Sequence, residues 1–235
     1  MPQLTVIPTP IGNLEDITYR AVRKLHEVDF VLAEDTRISK RLFDHYNIDQ
    51  RLSAYHQHNE HKKTTTIIEQ LKDGANIGLV SDAGTPGLSD PGFLLVRECR
   101  KEGIPVECLP GADALLPALI ASGLPSDRFV FEGFLPHKKG RTKRINLLAE
   151  EDRTVVLYES PHRLLKLLSR LAEYAGKERK VTVARELTKV YEEYISGTIQ
   201  EVVQTFEQKD SIKGEFVLVM EGKDHQKRGQ KASNQ

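Results

Sequence analysis

The first half of the chain alternates strand-like and helix-like stretches, and this alternation limits the possible folds more than any other feature. LTVI (4–7), FVLAE (30–34), LSAYH (52–56), NIGLVS (76–81) and PVECL (105–109) are short apolar runs. Helix-length stretches separate them. Residues 17–28 carry Ile17, Ala21, Leu25 and Val28 on one stripe, and 37–45 and 60–72 follow. Asp90 reads as an N-cap with Pro91 at the first helical position, opening a helix that stops at Gly103. Five strands joined through helices need right-handed crossovers, and so predict a mostly parallel sheet. A helix over 113–122, closed by Gly123 with Pro125 beyond, ends this half.

The pattern changes near SGLPSD (122–127). RFVFEGF (128–134) alternates as a strand with one solvated face, and RTVVLYES (153–160) is a strand followed by a helix over 161–175. VTVARE (181–186), EEYISGT (192–198) and GEFVLVMEG (214–222) are further strands, with a helix at 198–207; their close spacing predicts a mixed sheet. The fold class is therefore α/β, with an N-terminal domain over 1–123 and a C-terminal mixed-sheet domain over 124–223. Residues 224–235 are polar and basic and read as a disordered tail.

Composition narrows the function classes. Lys plus Arg and Asp plus Glu both number 34, so any basic surface must be a local patch. Apolar runs are far too short to span a membrane, and MPQLTVIPTPIGN lacks the charged and apolar regions of a secretory leader. Cys99 and Cys108 form no CxxC and read as buried free thiols in a reducing cytoplasm. No two glycines lie two positions apart, which removes GxGxxG; GxxxxGK[ST] and GxSxG are absent too. HQHNEH offers His56, His58, Glu60 and His61, a spacing like that of zinc hydrolases. No later ligand cluster completes such a site, so a polar loop beside a cleft is the better reading, and no metal is expected.

The loops hold the most information. Three strand ends are rich in Gly and Pro: PTPIGN (8–13), SDAGTPGLSDPG (81–92) and LPGADA (109–114). In an open α/β sheet, ligands bind beyond these ends, and glycines let backbone groups approach closely. A phosphate site would add a Lys, but these loops contain no Lys or Arg; they offer Asp82, Thr85, Asp90 and Asp113. Such a pocket suits a ligand with hydroxyls, amide-like edges and positive charge. S-adenosylmethionine (AdoMet), a sulfonium cation, has these features.

TPIGNLED (9–16), AEDTR (33–37), SDAGTPGLSDPG (81–92), LPG (109–111), SGLP (122–125), GFLP (133–136), ESPHR (159–163), ARELTK (184–189) and GEFVLV (214–219) follow in order. Together they closely resemble the tetrapyrrole-methylase-like (class III) AdoMet-dependent methyltransferases. ESPHR and ARELTK resemble the branch acting on small-subunit ribosomal RNA rather than the porphyrin and cobalamin methylases. The resemblance implies two α/β domains with AdoMet folded into the cleft between them, a homodimer, and methyl transfer to the ribose 2′-hydroxyl of a cytidine. It implies cofactor contacts from Pro8, Ile11, Gly12, Ser81, Asp82, Ala83, Gly84, Thr85, Leu88, Pro110, Gly111, Ala112, Leu157 and Tyr158. The family usually shows PGPSA where this chain has PGADA, so Ala112 and Asp113 replace a Pro-Ser pair, Asp113 being a good N-cap.

Such a transfer needs alignment and an acceptor for the hydroxyl proton. Glu34, Asp35, Glu159 and Glu186 lie at or just past strand ends, with Glu186 preferred and Lys189 as its electrostatic partner. HKKGRTKR (137–144) supplies Lys138, Lys139, Arg141, Lys143 and Arg144 for RNA phosphates, with Arg37 and Arg163 as further candidates. Three other classes remain open on the residues alone: a methylase of tetrapyrroles, a non-catalytic RNA-binding module, and a metal-dependent hydrolase.

Overall fold

A computed structural model describes residues 3–223. The expected tail, 224–235, lies outside the described residues. The chain divides into two compact units between Asp113 and Ala114.

The first unit runs β1 (Gln3–Val6), α1 (Tyr19–Glu27), β2 (Phe30–Ala33), α2 (Thr36–His45), β3 (Leu52–Ala54), α3 (Glu60–Lys72), β4 (Asn76–Val80), α4 (Phe93–Lys101) and β5 (Val106–Cys108). Its sheet has the order β3-β2-β4-β1-β5, and every pairing is parallel, as the alternation predicts. Strands buried on both faces carry continuous apolar runs, because each face needs its own helical cover. Leu4, Phe30, Leu32, Ile77 and Leu79 pack with Ile67 and Leu71 of α3 and Leu95 and Cys99 of α4. Val31, Ala33 and Val80 pack with Ala21 and Leu25 of α1 and Leu42 and Phe43 of α2. Leu25, Leu71 and Leu95 are fully buried, and cutting any one to alanine costs about 2–5 kcal/mol.

The second unit runs α5 (Leu115–Ala121), β6 (Phe129–Phe134), α6 (Arg141–Ala149), β7 (Thr154–Glu159), α7 (Pro161–Ala175), β8 (Lys180–Arg185), β9 (Glu193–Thr198), α8 (Ile199–Glu207) and β10 (Phe216–Met220). Its sheet, β6-β7-β10-β8-β9, is mixed: β6 and β7 are parallel and the other pairings antiparallel. Leu164, Leu167, Leu168 and Leu171 line one stripe of α7 and meet Val155, Leu157, Val183 and Leu218 of the sheet. The other face takes α5, which packs on β10. That packing places 114–123 with the second unit, ahead of the expected boundary at 123/124.

Several local expectations change. The N-cap of α4 is Gly92, not Asp90, and it makes no side-chain cap bond. The N-cap of α5 is Ala114, so Asp113 does not take that role. Cys99 is buried as expected, but Cys108, at the end of edge strand β5, is exposed. No described helix is long and apolar enough to cross a membrane.

Candidate active site

All strands of the first sheet run the same way, so the loops after β1, β2, β4 and β5 leave from one end. The three Gly/Pro loops meet there. Thr9 and Gly84 exchange backbone hydrogen bonds, each 2.9 Å, and the Thr9 hydroxyl donates to Ser81 O at 3.1 Å. The Thr85 hydroxyl donates to Ala112 O at 3.3 Å. A Cβ added at Gly84 would lie 3.4 Å from the Ile11 side chain, and one at Gly111 would lie 2.6 Å from Pro8 Cβ. Pro8, Ile11, Ser81, Gly84, Thr85, Gly111 and Ala112 are therefore one cluster, with Gly12, Ala83, Leu88 and Pro110 in the same loops. The contact at Ala112 is made by its carbonyl, so the Pro-Ser replacement at 112 and 113 leaves it available.

Carboxylates gather in these loops. The Asp35 amide donates to Asp82 Oδ1 at 2.9 Å. Burial raises the Glu34 carboxyl and Asp82 adds to the shift, while His56 opposes it. Burial also raises Asp82. Asp90 is pushed up to about 6 by burial first and then by Glu34 and Asp82. Asp90 turns its side chain to Ser81 rather than capping α4, a role its local sequence does not announce. A signal for it is nonetheless present: a second aspartate in a loop without any cation. Like charges held in partial burial, which His56 and Arg37 only partly offset, are relieved by a cationic ligand. These residues fit a sulfonium.

Asp35 has a local task. It caps α2, accepting from the Arg37 amide at 2.9 Å, and pairs with the Arg37 guanidinium, which holds it down to about 2. The Arg37 side chain remains 87% exposed. The histidines are held by their own turn. The His56 amide donates to Asn59 Oδ1 at 2.9 Å, its Nε2 lies 3.1 Å from Asn59 Nδ2, and its ring stacks edge-on with His58. Among the described residues no group of three His, Cys, Asp or Glu is placed to hold a metal.

One end of the second sheet gathers the remaining motifs. Register sets Phe134 beside Tyr158, Phe216 between Glu159 and Arg185, and Arg185 beside Glu193. Glu186 follows directly, with φ +50°, and Thr188 has φ +65°. Non-glycine residues in the left-handed region cost energy and persist only where the surroundings impose them. Here the Glu186 carboxylate accepts from the Glu215 amide at 2.8 Å and from Lys189 Nζ at 3.1 Å, and Lys189 also pairs with Glu215 at 3.0 Å. Partial burial opposes ionisation of Glu186, but the Glu215 amide and Lys189 outweigh it and hold the carboxyl below its ordinary range.

Glu159 is different. Its side chain is fully buried, 2.7 Å from Arg141 Nη2 and 2.8 Å from Arg163 Nε, with the Ser160 amide 2.8 Å away. Arg141 and Arg163 thus face inward. Arg144 pairs with Glu132. Lys138, Lys139 and Lys143 are exposed and carry the cationic surface of the segment. Leu157 is not brought to any site by its side chain, which lies wholly in the core opposite Leu218. Tyr158 packs edge-on against Phe131 and Phe134, at 5.0 and 5.6 Å between ring centroids.

A family model for Tetrapyrrole (Corrin/Porphyrin) Methylases matches residues 3–203. Ribosomal RNA small subunit methyltransferase I of Haemophilus influenzae is 50% identical over 222 residues, 94% of this chain and 78% of that protein. The protein of that name from Thermotoga maritima is 45% identical over 224 residues, 95% of this chain and 100% of that protein. Among solved structures, uroporphyrin-III-C-methyltransferase from Thermus thermophilus aligns with a TM-score of 0.64 at 22% identity, covering 98% of each chain. A diphthine synthase aligns at 0.72 with 13% identity, covering 93% of this chain and 90% of that one. Fold and site define an AdoMet-dependent methyltransferase with the tetrapyrrole methylase fold. Within that class, the chain belongs to the ribosomal RNA small subunit methyltransferase I family.

Proposed function

We propose that this chain methylates the ribose 2′-hydroxyl of a cytidine in small-subunit ribosomal RNA, as a homodimer in the cytoplasm. The RNA substrate follows from the relatives' activity, and the cytidine, the homodimer and the cytoplasm from the resemblance. The observation that carries the reading is the carboxylate set of Glu34, after β2, with Asp82 and Asp90 of the 81–92 loop, beside three Gly/Pro loops that hold no Lys or Arg, while exposed lysines crowd 138–143 in the other unit. One ligand is cationic and the other is a polyanion.

AdoMet, when bound, supplies the methyl group and gives up its positive charge as it reacts. Gly84, Gly111 and Pro8 shape the wall that receives it, and Thr85 fixes the loops to each other through Ala112. Glu34, Asp82 and Asp90 balance its charge. Glu186 is the proton acceptor for the 2′-hydroxyl: it is held ionised, and Lys189 and the Glu215 amide fix its direction. Lys138, Lys139, Lys143 and the outer face of Arg37 contact phosphates and set the register of the RNA.

The test is incubation with labelled AdoMet and small ribosomal subunits that lack the modification, followed by alkaline cleavage, which a 2′-O-methyl group blocks at its own position. Label at one protected cytidine is expected. Label that stays out of the RNA, with an active control enzyme present, overturns the reading.

A further inference from the structure

The carboxylate of Glu159 stands at the end of β7, which is a usual place for a catalytic group. Its geometry points elsewhere. One carboxylate oxygen takes Arg141 Nη2 at 2.7 Å; the other takes Arg163 Nε and the Ser160 amide, both at 2.8 Å. The side chain has no exposed surface, so neither oxygen is open to a substrate hydroxyl. Both guanidiniums then continue to the same stretch of chain. Arg141 Nη1 donates to Pro136 O at 3.4 Å, and Arg163 Nη1 lies 3.5 Å from Leu135 O and 3.2 Å from His137 Nδ1. Three successive residues, Leu135, Pro136 and His137, are thereby tied to one buried carboxylate through two arginines. The next residues, Lys138 and Lys139, are exposed.

We infer that Glu159 is a positioning residue for RNA: through Arg141 and Arg163 it fixes the 135–137 backbone, and so holds Lys138 and Lys139 in the place from which they contact phosphates. The inference rests on the proposed RNA substrate. Its physical basis is that a lysine on an unfixed loop must lose loop entropy when it binds, whereas one on a tethered loop has already lost it. The arginines of the cationic run are then internal struts and the lysines are its outward charge. The paired carboxylate is needed as well, because two half-buried guanidiniums facing each other without it would repel and release the segment.

The test uses the full chain and a double-mutant cycle. Glu159→Gln is combined with Lys138→Ala/Lys139→Ala, and affinity for small-subunit ribosomal RNA is measured beside KM, kcat, AdoMet affinity and the unfolding midpoint. Glu159→Gln is expected to weaken RNA binding about tenfold and to raise KM for RNA alike, with kcat and AdoMet affinity within about twofold. In the background lacking both lysines the same substitution is expected to weaken binding by less than about twofold, because the groups it positions are gone. Additive losses overturn the inference, as does a fall in kcat at unchanged KM, which would make Glu159 catalytic. If Glu159→Gln fails to fold, His137→Ala decides the matter, since it loosens the Arg163 tie from the exposed side. It is expected to weaken RNA binding about threefold, and only while Lys138 and Lys139 are present; an unchanged affinity, or an equal loss without them, overturns the inference. A wild-type chain that binds RNA but transfers no label refutes the proposed reaction and leaves the cycle to test Glu159. One that binds no RNA refutes both.

Discussion

Pro8 and Gly111 stand so close that a methyl group on residue 111 would sit 2.6 Å from Pro8 Cβ and 2.9 Å from its Cγ. The two residues belong to different loops, and the proline ring cannot turn away. Gly111→Ala must therefore push the β1 and β5 loops apart. The expected stability loss is about 1–3 kcal/mol, the usual cost of overpacking. AdoMet affinity should fall about tenfold, because the loops proposed as its wall separate. Denaturant unfolding and calorimetric titration check both. An unchanged affinity would remove the β5 loop from the binding wall.

The Asp90 carboxyl, raised to about 6 from an ordinary 3.8, keeps its proton in the folded chain at pH values where the unfolded chain has lost it. Its contribution to stability is therefore full at acid pH, below the unfolded value, and is lost as pH rises through about 6. Binding of a cation runs the other way, since the ligand prefers the ionised form. AdoMet affinity should rise between about pH 5 and pH 7. Asp90→Asn should flatten that rise. Titrations at several pH values check it; a slope that persists in the variant would clear Asp90 of the role.

Glu186 gives a sharper test of the proton acceptor. Glu186→Gln should lower kcat by about a hundredfold to ten-thousandfold while AdoMet affinity holds within about twofold. Gly214→Ala approaches the same carboxylate from outside. Gly214 has φ +105°, and a Cβ there would lie 2.6 Å from Glu186 Cγ. That variant should lose kcat in the same direction without touching residue 186. Single-turnover kinetics separate the chemical step from binding in both. A normal chemical rate in Glu186→Gln would move the role to another group.

Salt dependence reads the exposed lysines directly. Each phosphate contact to single-stranded RNA contributes about 0.7 to the slope of log affinity against log salt concentration. Lys138→Ala/Lys139→Ala should lower that slope by about 1.4, at little cost in stability. Binding isotherms over a range of salt measure it. Arg144→Ala offers a contrast, because Arg144 is paired to Glu132 and should change the slope less.

The sequence makes visible what depends on near neighbours. The helices 60–72 and 161–175 fall where their apolar spacing puts them, and α8 begins at the capping box of Thr198 and Glu201. The Gly/Pro loops point to a shared ligand because each of them follows a strand of one parallel sheet. Partners distant in sequence are not visible. Arg141 meets Glu159 across eighteen positions, and nothing in HKKGRTKR distinguishes a guanidinium that turns inward from a lysine that turns out. Asp90 followed by Pro91 has the local form of a helix start, but burial beside Glu34 and Asp82 sets its environment instead. The position of α5 follows from its packing on β10, a contact between segments about a hundred residues apart, and so escapes a reading of loop composition.

β10 lies between β7 and β8 although it comes last of the ten described strands. Until Phe216–Met220 has been synthesised, β7 and β8 have no common neighbour. Glu159 and Glu186 therefore cannot be brought level before then. During synthesis the first unit can close with its carboxylate loops complete, while the second still lacks its central strand. The end of the second sheet that carries Glu186 is thus the last part of the fold to be completed.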